Sequence, residues 1–160
     1  MDSMSTDKNL LAYCGIYCED CLGYTGVVAD AAQNLMETLT QYKFERTAAA
    51  VFPEQLADFD SFRKMLGFMA ALRCPARCRE DESATAALSC QVRTCCRERR
   101  LFACHECDEF EECETLQSNV EGLHAESCVA NLKAIKEMGL DSWLRSGKRH
   151  HYWDEVGNGD

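Results

Sequence analysis

The chain has 160 residues, 46% of them hydrophobic and 28% charged, with a net charge of −10. That length suits one domain with a modest core, and two prolines and nine glycines exclude a fibrous or low-complexity chain. The negative balance repels phosphate backbones, so no nucleic-acid partner is expected.

In chain order, residues 1–9 are polar and lack the basic start and apolar stretch of a signal peptide. Residues 10–25 carry a first cysteine knuckle. The spacing of Val28, Ala31, Ala32, Leu35, Leu39 and Tyr42 predicts a helix over 27–43. Pro53 suits the first turn of a short helix over 53–59. A further helix is expected over 61–72, with Asp60 as N-cap and Phe62, Met65, Leu66, Met69 and Leu72 inward. Residues 83–99, rich in Ala, Leu, Arg and Glu, read as helical, and 104–113 as a knuckle and loop. A helix over Ala125–Met138 puts Cys128, Leu132, Ile135 and Gly139 on one face, with Gly139 ending it. A short amphipathic piece over 141–145 presents Trp143 and Leu144. No segment alternates like a strand, and no apolar run reaches the roughly 18 residues of a membrane span. The expected fold is mostly α with irregular cysteine-rich loops: a small helical domain over 1–150, stapled by metal sites, and a polar tail over 151–160.

Twelve cysteines are the strongest signal. Cys14, Cys18 and Cys21 form C-x3-C-x2-C; Cys74 and Cys78 form C-x3-C. Cys90 and Cys95 form C-x4-C with Cys96 directly after, Cys104 and Cys107 form C-x2-C, and Cys113 and Cys128 follow. Thiolates two to four residues apart can share one ion at about 2.3 Å, the geometry of zinc half-sites. In a cytoplasmic protein, the compartment expected here, thiols stay reduced and such clusters bind metal more often than they form disulfides. Two zinc ions are expected. One would use Cys18, Cys21, Cys74 and Cys78, with Cys14 as an alternate. The other would draw four of Cys90, Cys95, Cys104, Cys107 and Cys113. A helix running through 83–99 would set Cys90 and Cys95 about 140° apart, so one of them would turn to a different ion unless the helix starts later. Cys96 cannot join Cys95 on one ion, because adjacent side chains diverge, and reads as a spare thiol or a small hydrophobe. Cys128 reads as core. His105 sits inside a knuckle, where neighbours point outward; His124 reads as a cap or surface residue, and His150 and His151 as tail. Arg93, Arg97, Arg99 and Arg100 form either a solvated basic face or N–H donors that neutralise thiolate charge.

Two alternatives stand beside structural zinc. The run Cys14/Cys18/Cys21 has the spacing that holds a [4Fe–4S] cluster in radical enzymes, which would make the chain an iron–sulfur redox or radical-type enzyme; Asp20 stands where those enzymes carry an aromatic. A thiol-based redox or metal sensor using Cys96 or Cys14 is the other. No phosphate-cradling glycine loop, H-E-x-x-H or G-x-S-x-G occurs, and the acidic run 108–112 reads as a solvated loop, so no catalytic residue is assigned.

The joint pattern resembles a family of small cysteine-rich prokaryotic proteins of unknown function, regarded as zinc-binding. The resemblance rests on Tyr13-Cys14-Gly15-x-x-Cys18-x-x-Cys21, on Cys78-Arg79, and on Cys90-x-Val92-Arg93-x-Cys95. It continues through Cys104-x-x-Cys107-Asp108-Glu109-Phe110, Cys113, and Gly139-x-x-x-Trp143-Leu144. This chain departs from it in Cys74-Pro75-Ala76-Arg77-Cys78, one residue longer than usual, and in Glu112, where a proline is usual. The resemblance implies metal binding and leaves the activity unassigned. The function expected is a zinc-stabilised adaptor or regulator that binds a protein partner.

Overall fold

The computed structural model describes residues 6–74, 77–80, 90–118 and 122–154. Residues 83–89, where the helix expected over 83–99 would begin, lie outside them. The chain divides into two compact units. One comprises Met1–Asp20 and Pro75–Asp160, and the other comprises Cys21–Cys74. The described residues are mostly helical, with no strand; a single isolated bridge pairs Leu11 with Tyr17.

The unit Cys21–Cys74 contains α1 (Leu22–Thr25), α2 (Val27–Gln41), α3 (Phe44–Val51) and α4 (Phe59–Ala70). Helix α2 packs on α4. Gly26 ends α1 and begins α2 in the left-handed region at φ 70°, which glycine enters without a Cβ clash. Lys43 makes a second left-handed turn at φ 49°, so the chain starts a new helix at Phe44 that the apolar spacing does not reveal. Residues 53–58 are turns rather than the short helix expected there. The reason is Phe59: it is buried between Phe44, at 5.7 Å between ring centres, and Phe62, at 6.1 Å. That packing starts α4 at Phe59, with Asp58 rather than Asp60 at its N-cap. The unit's buried core is small: Ala29, Ala32, Ala48, Phe59 and Leu66. Phe62, Met65, Met69 and Leu72, expected inward, are exposed, and so are Leu35 and Tyr42 of the apolar stripe of α2 and its end.

The other unit contains a 3-10 turn at Lys8–Leu10, a second at Cys18–Asp20, and α5 (Gln91–Glu98). Two more 3-10 turns, Cys104–Glu106 and Phe110–Glu112, lead to α6 (Glu114–Gln117), α7 (Ala125–Met138) and α8 (Leu140–Ser146). Helix α7 has the bounds expected, and its buried residues Cys128, Leu132 and Ile135 follow the i, i+4, i+7 stripe. Gly139, at φ 81°, ends it. Around α7 lie two buried clusters. The first gathers Ala12, Cys14, Val92, Cys96, Cys104, Phe110, Leu116, Cys128 and Leu132. The second gathers Leu10, Leu11, Tyr17, Cys18, Ala103, Ile135, Trp143 and Leu144, with Tyr17 edge-on to Trp143 at 6.1 Å. The segment after α8 is fastened, too. Asn131 donates to the His150 carbonyl at 2.9 Å and accepts its N–H at 2.8 Å. The Arg149 guanidinium lies over the Tyr17 ring at 4.1 Å. Asp20 Oδ2 sits 3.2 Å from Arg149 Nε and 3.5 Å from His151 Nε2, so the residue that departs from the radical-enzyme pattern anchors this segment.

Gly15 shows how tightly the first cysteine loop sits on α7. Its φ is 97°, and a Cβ there would meet Leu132 Cγ at 2.9 Å and the Cys128 carbonyl at 3.0 Å. Gly15→Ala would combine backbone strain with overpacking, so we expect a loss of about 2 kcal/mol or more in urea denaturation. A stability equal to wild type would mean that the loop can move off the helix without cost.

Candidate metal centre

The cysteines fall into distinct settings. Cys21 is the half-buried N-cap of α1, and exposed Cys74 lies beside it in the same unit. The Cys74 N–H donates to the Gly23 carbonyl at 2.8 Å, and a Cβ built on Gly23 would be 3.7 Å from Cys74 Cβ and 3.9 Å from Cys21 Sγ. Cys18 opens its 3-10 turn in the cluster around Trp143. Cys14 belongs to the other buried cluster, and half-buried Cys78, Cys90, Cys107 and Cys113 pack against that same cluster.

Helix α5 starts at Gln91, so Cys90 is its extended N-cap at φ −126°. It therefore does not stand on the helix at the angle that a start at 83 would impose. Cys95 and Cys96 diverge, as adjacent residues must. Cys96 is 1% exposed and points into the core, whereas Cys95 turns to the Arg99 guanidinium, which hydrogen-bonds it. The same guanidinium donates from Nη1 to Cys107 Sγ at 3.2 Å. One arginine thus brings together a sulfur from α5 and a sulfur from the Cys104–Cys107 turn, and their negative character holds its pKa above the ordinary guanidinium value, Cys107 first.

Arg79 also lies within electrostatic reach of sulfurs, but its hydrogen bonds go to the backbone. Its Nε donates to the Leu11 carbonyl and its Nη2 to the Phe102 carbonyl, each at 2.7 Å. Its guanidinium carbon lies 3.8 Å from the Phe102 ring centre and 4.6 Å from that of Tyr13. Burial draws its pKa down, while Tyr13, Cys78, Cys96 and Cys18 around it push the other way; guanidinium stays charged in either case. Arg97 is tied to the Tyr13 hydroxyl at 3.5 Å and the Glu80 carbonyl at 3.0 Å. Of the four arginines expected near the sulfurs, Arg99 is thus a direct thiol donor and Arg97 a structural tie.

Four thiols are buried together. Cys96 Sγ and Cys104 Sγ are 3.5 Å apart, and the Cys14 and Cys128 thiols are hydrogen-bonded to each other. Across the two pairs, Cys14 lies within electrostatic reach of Cys96 and Cys104, and Cys104 of Cys128. The Cys104 hydrogen bond is the main influence holding the Cys96 thiol below its ordinary range; Arg79 and Arg99 add to it, and burial opposes it. The same bond, then burial, pushes Cys104 far up, and the Cys14 bond with burial does so to Cys128. His105 is half-buried with its ring edge-on to Phe102 at 6.4 Å, and burial lowers its pKa.

Among the described residues, no group of three or more His, Cys, Asp or Glu could hold a metal ion as it stands. The sulfurs meet in pairs. The donor chemistry, thiols beside guanidinium donors, is what a thiolate-bound ion requires, and loading would have to draw pairs together. Nor, among the described residues, is any helix long and apolar enough to cross a membrane.

Residues 10–118 match the family described as protein of unknown function, DUF3795, and the chain belongs to that family. No curated protein matches the chain, and no solved structure does.

Proposed function

We propose that this DUF3795 protein is a zinc-binding adaptor or regulator of the cytoplasm, in which thiolate-bound ions hold the cysteine-rich unit in shape. The observation that carries the reading is Arg99 spanning Cys95 and Cys107, with its donor 3.2 Å from the Cys107 sulfur. A pair of thiols from two chain segments beside one guanidinium forms half of a four-thiolate site with a positive charge at hand, and Cys90 and Cys113 pack against the same buried cluster as Cys107. Zinc held by four thiolates has no open position, so it stabilises structure and leaves no coordination place for substrate. Exposed apolar surface supports a protein partner. Among the described residues, twelve of the fifteen exposed large hydrophobics belong to Cys21–Cys74, among them Phe62, Met65, Phe68 and Met69 of α4. Cys14 and Cys18 pack into different buried clusters, so the radical-enzyme alternative draws no support from their placement.

Cys107→Ser tests the reading. We expect close to one zinc equivalent per chain to be lost by elemental analysis, since serine is a poor zinc donor. Full zinc retention in a folded Cys107→Ser protein would remove the site built on Arg99.

A further inference from the structure

We propose that Cys14, Cys96, Cys104 and Cys128 form a separate, buried four-thiolate site that takes a zinc ion or another soft divalent cation. The proposal rests on the reading above that the chain carries thiolate-bound metal. It goes beyond that reading by giving Cys96 and Cys128 a ligand's role and by removing Cys14 and Cys104 from the other sites.

Four different segments deliver these sulfurs to one buried cluster, as two pairs. Cys14 sits in the loop that closes with the Gly15 N–H on the Ala12 carbonyl. Cys104 is tied beside it, because its N–H donates to the Tyr13 carbonyl at 2.9 Å. Cys96 comes from α5, whose end is closed by the Leu101 N–H on the Cys96 carbonyl at 2.8 Å. Arg100 makes that turn at φ 58° and sends the chain back toward Cys104. Cys128 comes from α7, and the missing side chain of Gly15 lets the first loop lie against its carbonyl. The four are 7%, 1%, 9% and 1% exposed, in sequence order, and share one buried cluster.

A tetrahedral ion with sulfurs at about 2.3 Å has sulfur–sulfur edges of about 3.8 Å. The Cys96–Cys104 separation of 3.5 Å is already close to such an edge. As they stand, the four are two hydrogen-bonded pairs and not a closed sphere, so the ion would replace two shared protons and draw the pairs onto itself. The balance is four thiols and one divalent ion giving a tetrathiolate complex of charge −2 and four protons released to solvent. Arg79, within electrostatic reach of Cys96, supplies a positive charge against that deficit. A single buried cysteine is an ordinary small hydrophobe. Four from separate segments, paired sulfur to sulfur within one buried cluster, supply the number and kind of donors that a closed thiolate sphere uses. The assignment also leaves eight of the twelve cysteines, the number that two further four-thiolate sites require.

Zinc is counted by native mass spectrometry on the full chain as purified, for wild type, Cys96→Ser, Cys128→Ser, the double variant and Cys107→Ser. Cys96→Ser and Cys128→Ser are each expected to lose one ion, and the double variant the same single ion. Combining Cys107→Ser with Cys128→Ser should lose two. Unchanged zinc in folded Cys96→Ser and Cys128→Ser, with one ion lost in Cys107→Ser, would overturn this site and leave the broader reading standing. A wild-type chain without zinc would overturn both. Should the core variants not fold, the wild-type protein loaded with cadmium-113 decides: the β-protons of Cys96 and Cys128 are expected to couple to the same cadmium resonance. Absence of coupling at those two residues, with coupling at Cys107, would sink the proposal.

Discussion

Stripping the metal with a strong chelator under reducing conditions is expected to unfold the cysteine-bearing unit rather than loosen it. Its first buried cluster has nine members, of which Cys14, Cys96, Cys104 and Cys128 are four, and Cys78, Cys90, Cys107 and Cys113 pack against it. Sulfur therefore occupies the places that large aliphatic side chains would fill in a core stable by burial alone. A structural zinc ion contributes on the order of 10 kcal/mol or more, against a total domain stability of about 5–15 kcal/mol. Loss of even one such ion would thus remove a contribution comparable to the whole stability of a domain. Amide-exchange protection over Gln91–Glu98 and Ala125–Met138 should disappear, and helical circular dichroism should fall. If both measurements stayed at their starting values after verified metal loss, the sulfurs would be shown to pack adequately as thiols.

The second large effect belongs to Arg79. Arg79→Leu keeps much of the apolar stem, but it leaves the Leu11 and Phe102 carbonyls, each accepting at 2.7 Å, without their donor. An unsatisfied buried acceptor costs about 1–3 kcal/mol, and the lost stacking on Phe102 and Tyr13 adds about 0.5–2 kcal/mol. We expect a total of about 3–5 kcal/mol in denaturant unfolding at pH 7. Arg79→Lys should recover little of it, because a single ammonium cannot present a planar fork to two carbonyls and a ring at once. A lysine variant as stable as wild type would mean that charge alone, and not the fork, is what the site uses.

Much of the fold was legible. Helix α7 and the centre of α2 could be read because apolar residues recur at i, i+3 and i+4, and Gly139 stops the former cleanly. The break at Lys43 was hidden, since a left-handed lysine carries no sequence mark, and the early start of α4 depends on Phe59 meeting Phe44 across a turn. Phe62, Met65 and Met69 were expected inward because periodicity reports an apolar face without saying whether anything covers it. At the candidate centre, spacing showed which cysteines neighbour one another in the chain and correctly separated Cys95 from Cys96. It could not show where the inward member goes. The contact of Cys96 with Cys104 depends on the turn at Arg100, and that of Cys14 with Cys128 on the bare backbone of Gly15, and neither is a spacing rule. Arg79 was visible through the resemblance as part of a Cys-Arg pair; its grip on two distant carbonyls was not.

Whether this protein is a thiolate–zinc protein is tested most directly by its metal content. Anaerobic purification without added metal, followed by elemental analysis and a visible spectrum, is expected to give about two or three zinc ions per chain and no colour. A brown protein absorbing near 400 nm, with iron and sulfide in stoichiometric amounts, or a folded chain that carries no metal at all, would contradict it.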